Sequence, residues 1–429
     1  MIFSRLFQTT FSRTFHPPKK KSRRRIWPFV LIGVIFFSCF YGRLDVACGF
    51  VPNVASASMS EEEETLQQEL EEEVDKQLGN LDFSGIEAVV EKLSTSAKEI
   101  FSARSFLDKL QLVISGEYAD NSENFLNTIL SVFFSGMKGY LPIIASIVAV
   151  SILGGMIANL KPATNGKSIG NIVHFVTYGV VIVFLGTSIV QILQTTTTAL
   201  TSTKELFDAI FPILLTLLTA VGGSVSVGIY QPAIALISNV IISFITYILL
   251  PMFIFSIVFS IVGNLSNNVR LDKFVAFLHS AFKWIIGLCF TIFLGFISIQ
   301  GVMAGAVDGL SIRTAKYAIK SYIPIVGGYV SDGFSIIMAS SMLIKNAVGG
   351  VGLFLLLSTV ASPVINIVIF MLALKFMAGI IEPIGDKKIA TFASEISKSL
   401  SLLVALLVAV SFMYLVLTGL IMCSANLVI

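Results

Sequence analysis

Apolar positions dominate the chain from residue 140 onward and fall into runs too long for a soluble core. A spanning helix needs about 20 mostly apolar residues. Eight runs reach that length: about Tyr140–Leu160, Ile169–Leu193, Phe207–Tyr230, Ala233–Val262, Trp284–Ala304, Ile323–Leu343, Val348–Ile381 and Leu402–Met422. The fourth and seventh are longer than a span requires. Each holds a proline, Pro251 or Pro363, and these are candidate hinges. The pattern predicts an all-α polytopic membrane protein with about eight transmembrane helices, seven to ten depending on whether the prolines split a run.

Upstream, the runs give way to stripes. Leu66, Leu70, Val74 and Leu78 recur every four residues. Ile86, Val90, Leu93, Ala97, Ile100, Ala103, Leu107, Leu110 and Ile114 follow at spacings of 3 and 4, close to a heptad seam. Two readings fit. The stripe docks on another protein, or a small helical domain buries it within itself. The segment is short for an independent core, which leans toward a partner.

The first residues read as an export signal. Residues 1–25 carry eight basic side chains and no acid, an apolar run covers Ile26–Tyr41, and Ala55 and Ala57 offer the small residues of a cleavage site. Cleavage after Ala57 is expected, with an uncleaved anchor as the alternative. The chain then divides into a signal peptide (1–57), an acidic helical extracytoplasmic region (58–139) and a multi-span membrane domain (140–429).

Composition agrees with this picture. The 429 residues are 55% apolar and 13% charged, with mean hydropathy +0.88. Soluble chains run about 45–50% apolar and about 25% charged, so a disordered chain, a collagen and an ordinary cytosolic enzyme are excluded. The net charge of +3 conceals opposed regions. Residues 58–139 hold 17 acids against 6 basic residues, while residues 140–429 hold 8 acids against 14. With 58–139 outside, the loops 161–168, 305–322 and 382–401 are cytoplasmic and basic, as the positive-inside bias requires. Arg270, Lys273 and Lys283 break the pattern by falling outside. The four cysteines, Cys39, Cys48, Cys289 and Cys423, form neither a disulfide framework nor a zinc spacing.

Val221–Gly228 and Val326–Gly333 both read V-G-G-x-V-S-x-G, and the spacings Pro212 to Pro251 and Pro324 to Pro363 are both 39 residues. Residues 207–304 and 323–422 are therefore candidate copies of a three-span unit. An odd span count would invert the second copy, as in transporters. Gly222, Gly223, Gly228, Gly327, Gly328 and Gly333 are candidate pathway or helix-packing positions, since glycine admits close helix approach or unwound backbone. Val348–Gly352 adds a third glycine patch.

Candidate chemistry is sparse. Asp332 is the one carboxylate predicted well inside a span, either a pathway contact or a residue near the interface. His174 reads as packed or hydrogen-bonded, and Lys375 can snorkel. Gly166-Lys167-Ser168 copies the end of a phosphate loop, but Lys161 replaces its first glycine. Arg313, Lys316 and Lys320 share a helical face, a candidate cytoplasmic surface for lipid or a partner. No hydrolase or metalloprotease motif occurs, so no enzyme, no cofactor and no metal are expected, and nothing points to nucleic acid.

Three stretches carry a resemblance: Gly222–Val240 (GGSVSVGIYQPAIALISNV), Val307–Ser335 (VDGLSIRTAKYAIKSYIPIVGGYVSDGFS) and Ile380–Ala390 (IIEPIGDKKIA). With the export signal and the acidic helical segment, they resemble the stage III sporulation protein AE family of endospore-forming bacteria. The resemblance implies a multi-pass protein of the mother-cell membrane around the forespore. It implies membership of a channel complex with membrane, ring-forming and cytoplasmic ATPase partners, needed for forespore integrity and late forespore gene expression. The alternative is a stand-alone secondary transporter with inverted repeats.

Overall fold

A computed structural model describes residues 61–101, 105–115, 122–159, 166–265, 271–322 and 327–424. Every regular element among them is helical. Four short helices come first: α1 (Glu61–Gly79), α2 (Ser84–Lys92), α3 (Thr95–Phe101) and α4 (Phe106–Ile114). The long ones follow: α5 (Ser122–Asn159), α6 (Gly166–Ala220), α7 (Ser224–Phe244), α8 (Leu250–Leu265), α9 (Asp272–Tyr322), α10 (Gly327–Ile384) and α11 (Lys387–Cys423). A π-helical turn, Ile245–Leu249, joins α7 to α8, so those two form one continuous rod.

Six rods are thus long and apolar enough to cross a membrane among the described residues, not the eight the apolar runs suggest. The difference lies at segments read as loops. Residues 194–206 are polar, yet they sit in the middle of α6. Their threonines fold back on the helix. Thr195, Thr196, Thr197, Thr201 and Thr203 each donate a hydroxyl to the carbonyl four residues earlier. Residues 305–322 likewise continue α9, and 344–347 continue α10. Neither proline ends a helix. Pro251 is the second residue of α8, where the π turn just before it and the first helical turn tolerate a missing backbone donor, and α10 runs unbroken through Pro363.

Rods α6, α9 and α10 have 55, 51 and 58 residues, roughly 75–90 Å at about 1.5 Å per residue. A hydrocarbon core is about 30 Å thick, so each must extend well beyond it. One end of the bundle, the turn end, holds the α5–α6, α8–α9 and α10–α11 connections. The other, the head end, holds the α6–α7 and α9–α10 connections.

The α6–α7 connection is built by the first glycine motif. Gly222 has φ 93°. Its N–H bonds the Thr219 carbonyl at 2.9 Å, and the Gly223 N–H bonds the Leu218 carbonyl at 2.8 Å. This pair of bonds is a Schellman stop. A Cβ on Gly223 would lie 2.6 Å from Leu218 Cδ1 and 3.0 Å from its carbonyl oxygen. We expect Gly222→Ala to cost about 1–2 kcal/mol for the left-handed backbone, read as unfolding in detergent micelles. Gly228→Ala, which meets open space in α7, should be neutral or stabilising by up to about 1 kcal/mol.

Two rods separate the two V-G-G motifs. Each motif precedes a rod running toward the turn end, so the two units run in the same sense. The inverted arrangement expected from sequence is not what the helix order gives.

Ser58–Ile429 forms one compact unit. Within it, α1–α4 lie on α6 and on α10, with hydrogen bonds to α10 from Ser340 to Ser362. Ile86, Val90, Leu93, Ala97, Ile100 and Leu110 of the predicted stripe are buried, and Leu107 is 40% exposed. The stripe is covered by the chain's own long helices, because α10 and α6 outrun any bilayer and present apolar surface there. Gln77 bonds Ser340 and Ser341 at 2.9 and 2.8 Å, and Ser94 pairs with Ser362 at 3.1 Å. Glu87 accepts from the N–H groups of Phe106 and Leu107, capping α4 together with Ser105.

Candidate functional site

Polar side chains gather at two places in the bundle, one at the turn end and one below the head. At the turn end the α10–α11 corner is tight, with Gly385 against the Ile381 and Ser151 carbonyls. Asp386 caps α11, accepting from the Lys388 N–H at 2.9 Å. Its second oxygen accepts from His174 Nδ1, contributed by α6. Burial pushes the Asp386 carboxyl up, but the His174 hydrogen bond and the Lys388 N–H outweigh it and hold the group below its ordinary value. His174 stacks on Tyr178 at 5.7 Å, and Tyr178 donates to the Ile261 carbonyl at 2.9 Å.

A second carboxylate extends this cluster. Glu395 of α11 accepts from Ser260 at 2.6 Å and Asn264 at 2.8 Å, both on α8. His279 of α9 pairs with Ser399 at 2.9 Å. The cluster therefore ties α6, α8, α9 and α11 together by groups that an apolar bundle would otherwise leave unpaired. His174 Nε2 and Lys388 Nζ are buried without a hydrogen-bond partner. Among the described residues nothing hydrogen-bonds the second nitrogen of His174. Among the described residues no three His, Cys, Asp or Glu side chains gather as metal ligands do.

The second place is a cleft of about 310 Å³ between α3, α5, α6 and α10. Ser96, Ser135, Tyr140, Gln191, Thr195 and Asn366 give it polar walls, Pro363 lies at its edge, and Ile192 and Ile367 line its apolar part. Tyr140 is packed on Phe370 at 5.0 Å.

The residues singled out from sequence fall elsewhere. Gly222 and Gly223 form the helix stop. Gly228 and Gly333 face open space, so neither packs a helix closely. Gly327, Gly328 and Asp332 occupy the first two turns of α10, at the head end, and their side-chain surroundings lie outside the described residues. The glycines that pack are in the third patch. A Cβ would lie 2.8 Å from Met422 at Gly349 and 2.8 Å from Ile210 at Gly352. Arg313, Lys316 and Lys320 lie in the last turns of α9, not in a loop. Six rods in place of eight put them at the opposite end from Lys387 and Lys388, and bring the α8–α9 connection to the same end as Lys387. Lys273 and Lys283, in the first turns of α9, then share an end with Lys387 and Lys388. The export signal lies outside the described residues.

The turn-end cluster escaped sequence reasoning in part. His174 was legible as a packed or hydrogen-bonded residue, and Asp386 only as part of the stretch Ile380–Ala390. Glu395 gave a usable signal, being one of only 8 acids after residue 139.

The model of a family described as stage III sporulation protein AE matches residues 104–425. A relative in Bacillus subtilis (strain 168), named stage III sporulation protein AE, is 27% identical over 314 residues, covering 73% of this chain and 79% of the relative. No solved structure matches.

Proposed function

The chain belongs to the stage III sporulation protein AE family, and on that premise we propose that it is an integral-membrane component of a channel complex between mother cell and forespore. Its role is endospore formation, through forespore integrity and late forespore gene expression. The observation that carries the reading is the mismatch between rod length and bilayer. A protein whose task ended at the membrane would not need three helices of more than 50 residues with a further four packed on two of them.

In this reading the turn end faces the mother-cell cytoplasm. Lys167, Lys273, Lys283, Lys387, Lys388 and Lys398 all belong to helix segments near that end, in keeping with the positive-inside bias. The head end, with the acidic α1–α4 and the basic Arg313, Lys316 and Lys320, stands in the space between the two membranes and meets the ring-forming partners. The cytoplasmic ATPase meets the turn end. Asp332, in the first two turns of α10, is the carboxylate a conduit would use. The parallel sense of the two V-G-G units removes the main argument for a stand-alone transporter.

Clean deletion of the gene tests the reading. Sporulating cells followed by membrane dye are expected to arrest after engulfment with shrinking forespores, and complementation should restore them. Normal, heat-resistant spores from the deletion strain would overturn it.

A further inference from the structure

We propose that the cleft between α3, α5, α6 and α10 binds a neutral polyhydroxylated group, either a free sugar or polyol or the sugar headgroup of a glycolipid. Four side chains from four different helices converge there: Ser96, Ser135, Gln191 and Asn366. Among the described residues none of the four makes a side-chain hydrogen bond; Ser135 and Gln191 are exposed, Ser96 and Asn366 half-buried. Each carboxamide offers two donors and an acceptor, and each hydroxyl offers one donor and two lone pairs. A set this rich, converging from four helices on one cleft and free of partners within the chain, is available to an external ligand that can replace several waters at once.

The chemistry of that ligand follows from what the walls lack. No charged residue lines the cleft. An ion entering it would lose hydration without a counter-charge, which costs several kcal/mol. An apolar ligand would cover the half-buried Asn366 carboxamide without pairing it, at a cost of about 1–3 kcal/mol. A neutral ligand with many hydroxyls avoids both penalties. The Tyr140 ring and the Pro363 ring give flat apolar surface for its C–H faces. The volume, about 310 Å³, lies at the small end of ligand sites and suits a single sugar ring.

Both sources share this chemistry. On α5, exposed Phe134, Met137 and Leu141 flank Ser135 and Tyr140, so an acyl chain attached to the bound sugar would find apolar surface along the same helix.

The full chain, purified in a polyoxyethylene detergent that carries no sugar, would be titrated with glucose and with sorbitol by calorimetry. A second set of titrations would use nanodiscs with and without monoglucosyl-diacylglycerol. Saturable binding is expected, weakened about tenfold or more by Asn366→Leu or Gln191→Leu, with no response to phosphate or glutamate. Binding of free glucose or sorbitol assigns a soluble ligand, and binding only in glucolipid nanodiscs assigns a headgroup. Gln191 is exposed, so its variant keeps the test valid if Asn366→Leu does not fold. The proposal is overturned if none of these probes binds, or if binding survives both substitutions.

Discussion

Phe101→Ala detaches α1–α4 from the long helices. The Phe101 side chain is fully buried and its ring lies 6.1 Å from that of Phe354 on α10. The Lys109 ammonium sits 4.8 Å above Phe354 and donates to the Phe101 carbonyl at 2.9 Å, and burial pushes that ammonium's pKa down. Truncation removes the ring that holds this ammonium in place and leaves a cavity under it. Phe→Ala at such a site costs about 3–5 kcal/mol. The loss falls on a small subregion, so it is expected as local opening and not as global unfolding. Limited proteolysis in detergent reads it. Residues 61–114 should be digested at protease levels that leave the six rods intact. Leu107→Ala, at a 40% exposed position on neighbouring α4, should change protection by no more than about 0.5 kcal/mol. Unchanged protection in Phe101→Ala would show that the head is held by other contacts.

This docking illustrates what sequence periodicity contains and omits. The stripe from Ile86 to Ile114 is legible because spacing alone fixes which face of a helix is apolar. The identity of the covering surface is not, since Phe354 is more than 200 residues away and carries no mark of its role. Helix type was legible throughout 140–423, because apolar runs of that length have no other solution in a bilayer. Helix number was not. Polarity at 194–206 signals departure from lipid, and it was read as departure from the helix. Threonines that satisfy themselves on the preceding turn make the first possible without the second.

Glycine was the other ambiguous letter. Gly222-Gly223 ends a helix, Gly349 and Gly352 admit Met422 and Ile210, and Gly228 does neither. The distinction lies in φ and in what approaches from another helix, both non-local quantities. The pairing of His174 with Asp386 across 212 residues is of the same kind. One-dimensional charge patterning pointed to it only indirectly, through the basic residues that crowd the turn end. With six rods, Lys273, Lys283, Lys387 and Lys388 fall at one end of the bundle.

The turn-end cluster supplies the second large effect, with a definite pH signature. Asp386→Ala removes the N-cap of α11, worth about 0.5–2 kcal/mol, and leaves the buried His174 Nδ1 unpaired, about 1–3 kcal/mol more. A total loss of about 2–4 kcal/mol is expected in detergent unfolding. Asp386→Asn keeps an acceptor for the Lys388 N–H and loses only the charge, so it should fall between. The native carboxyl titrates below its ordinary value of 3.8, and the unfolded chain binds the proton more readily. The carboxylate's contribution is therefore complete above 3.8 and is lost as pH falls through the folded value. Unfolding curves from about pH 5 downward should show wild type and Asp386→Asn converging below 3.8, with wild type the more stable above it. A gap that stays constant through this range would mean that the His174–Asp386 contact contributes by shape and not by charge.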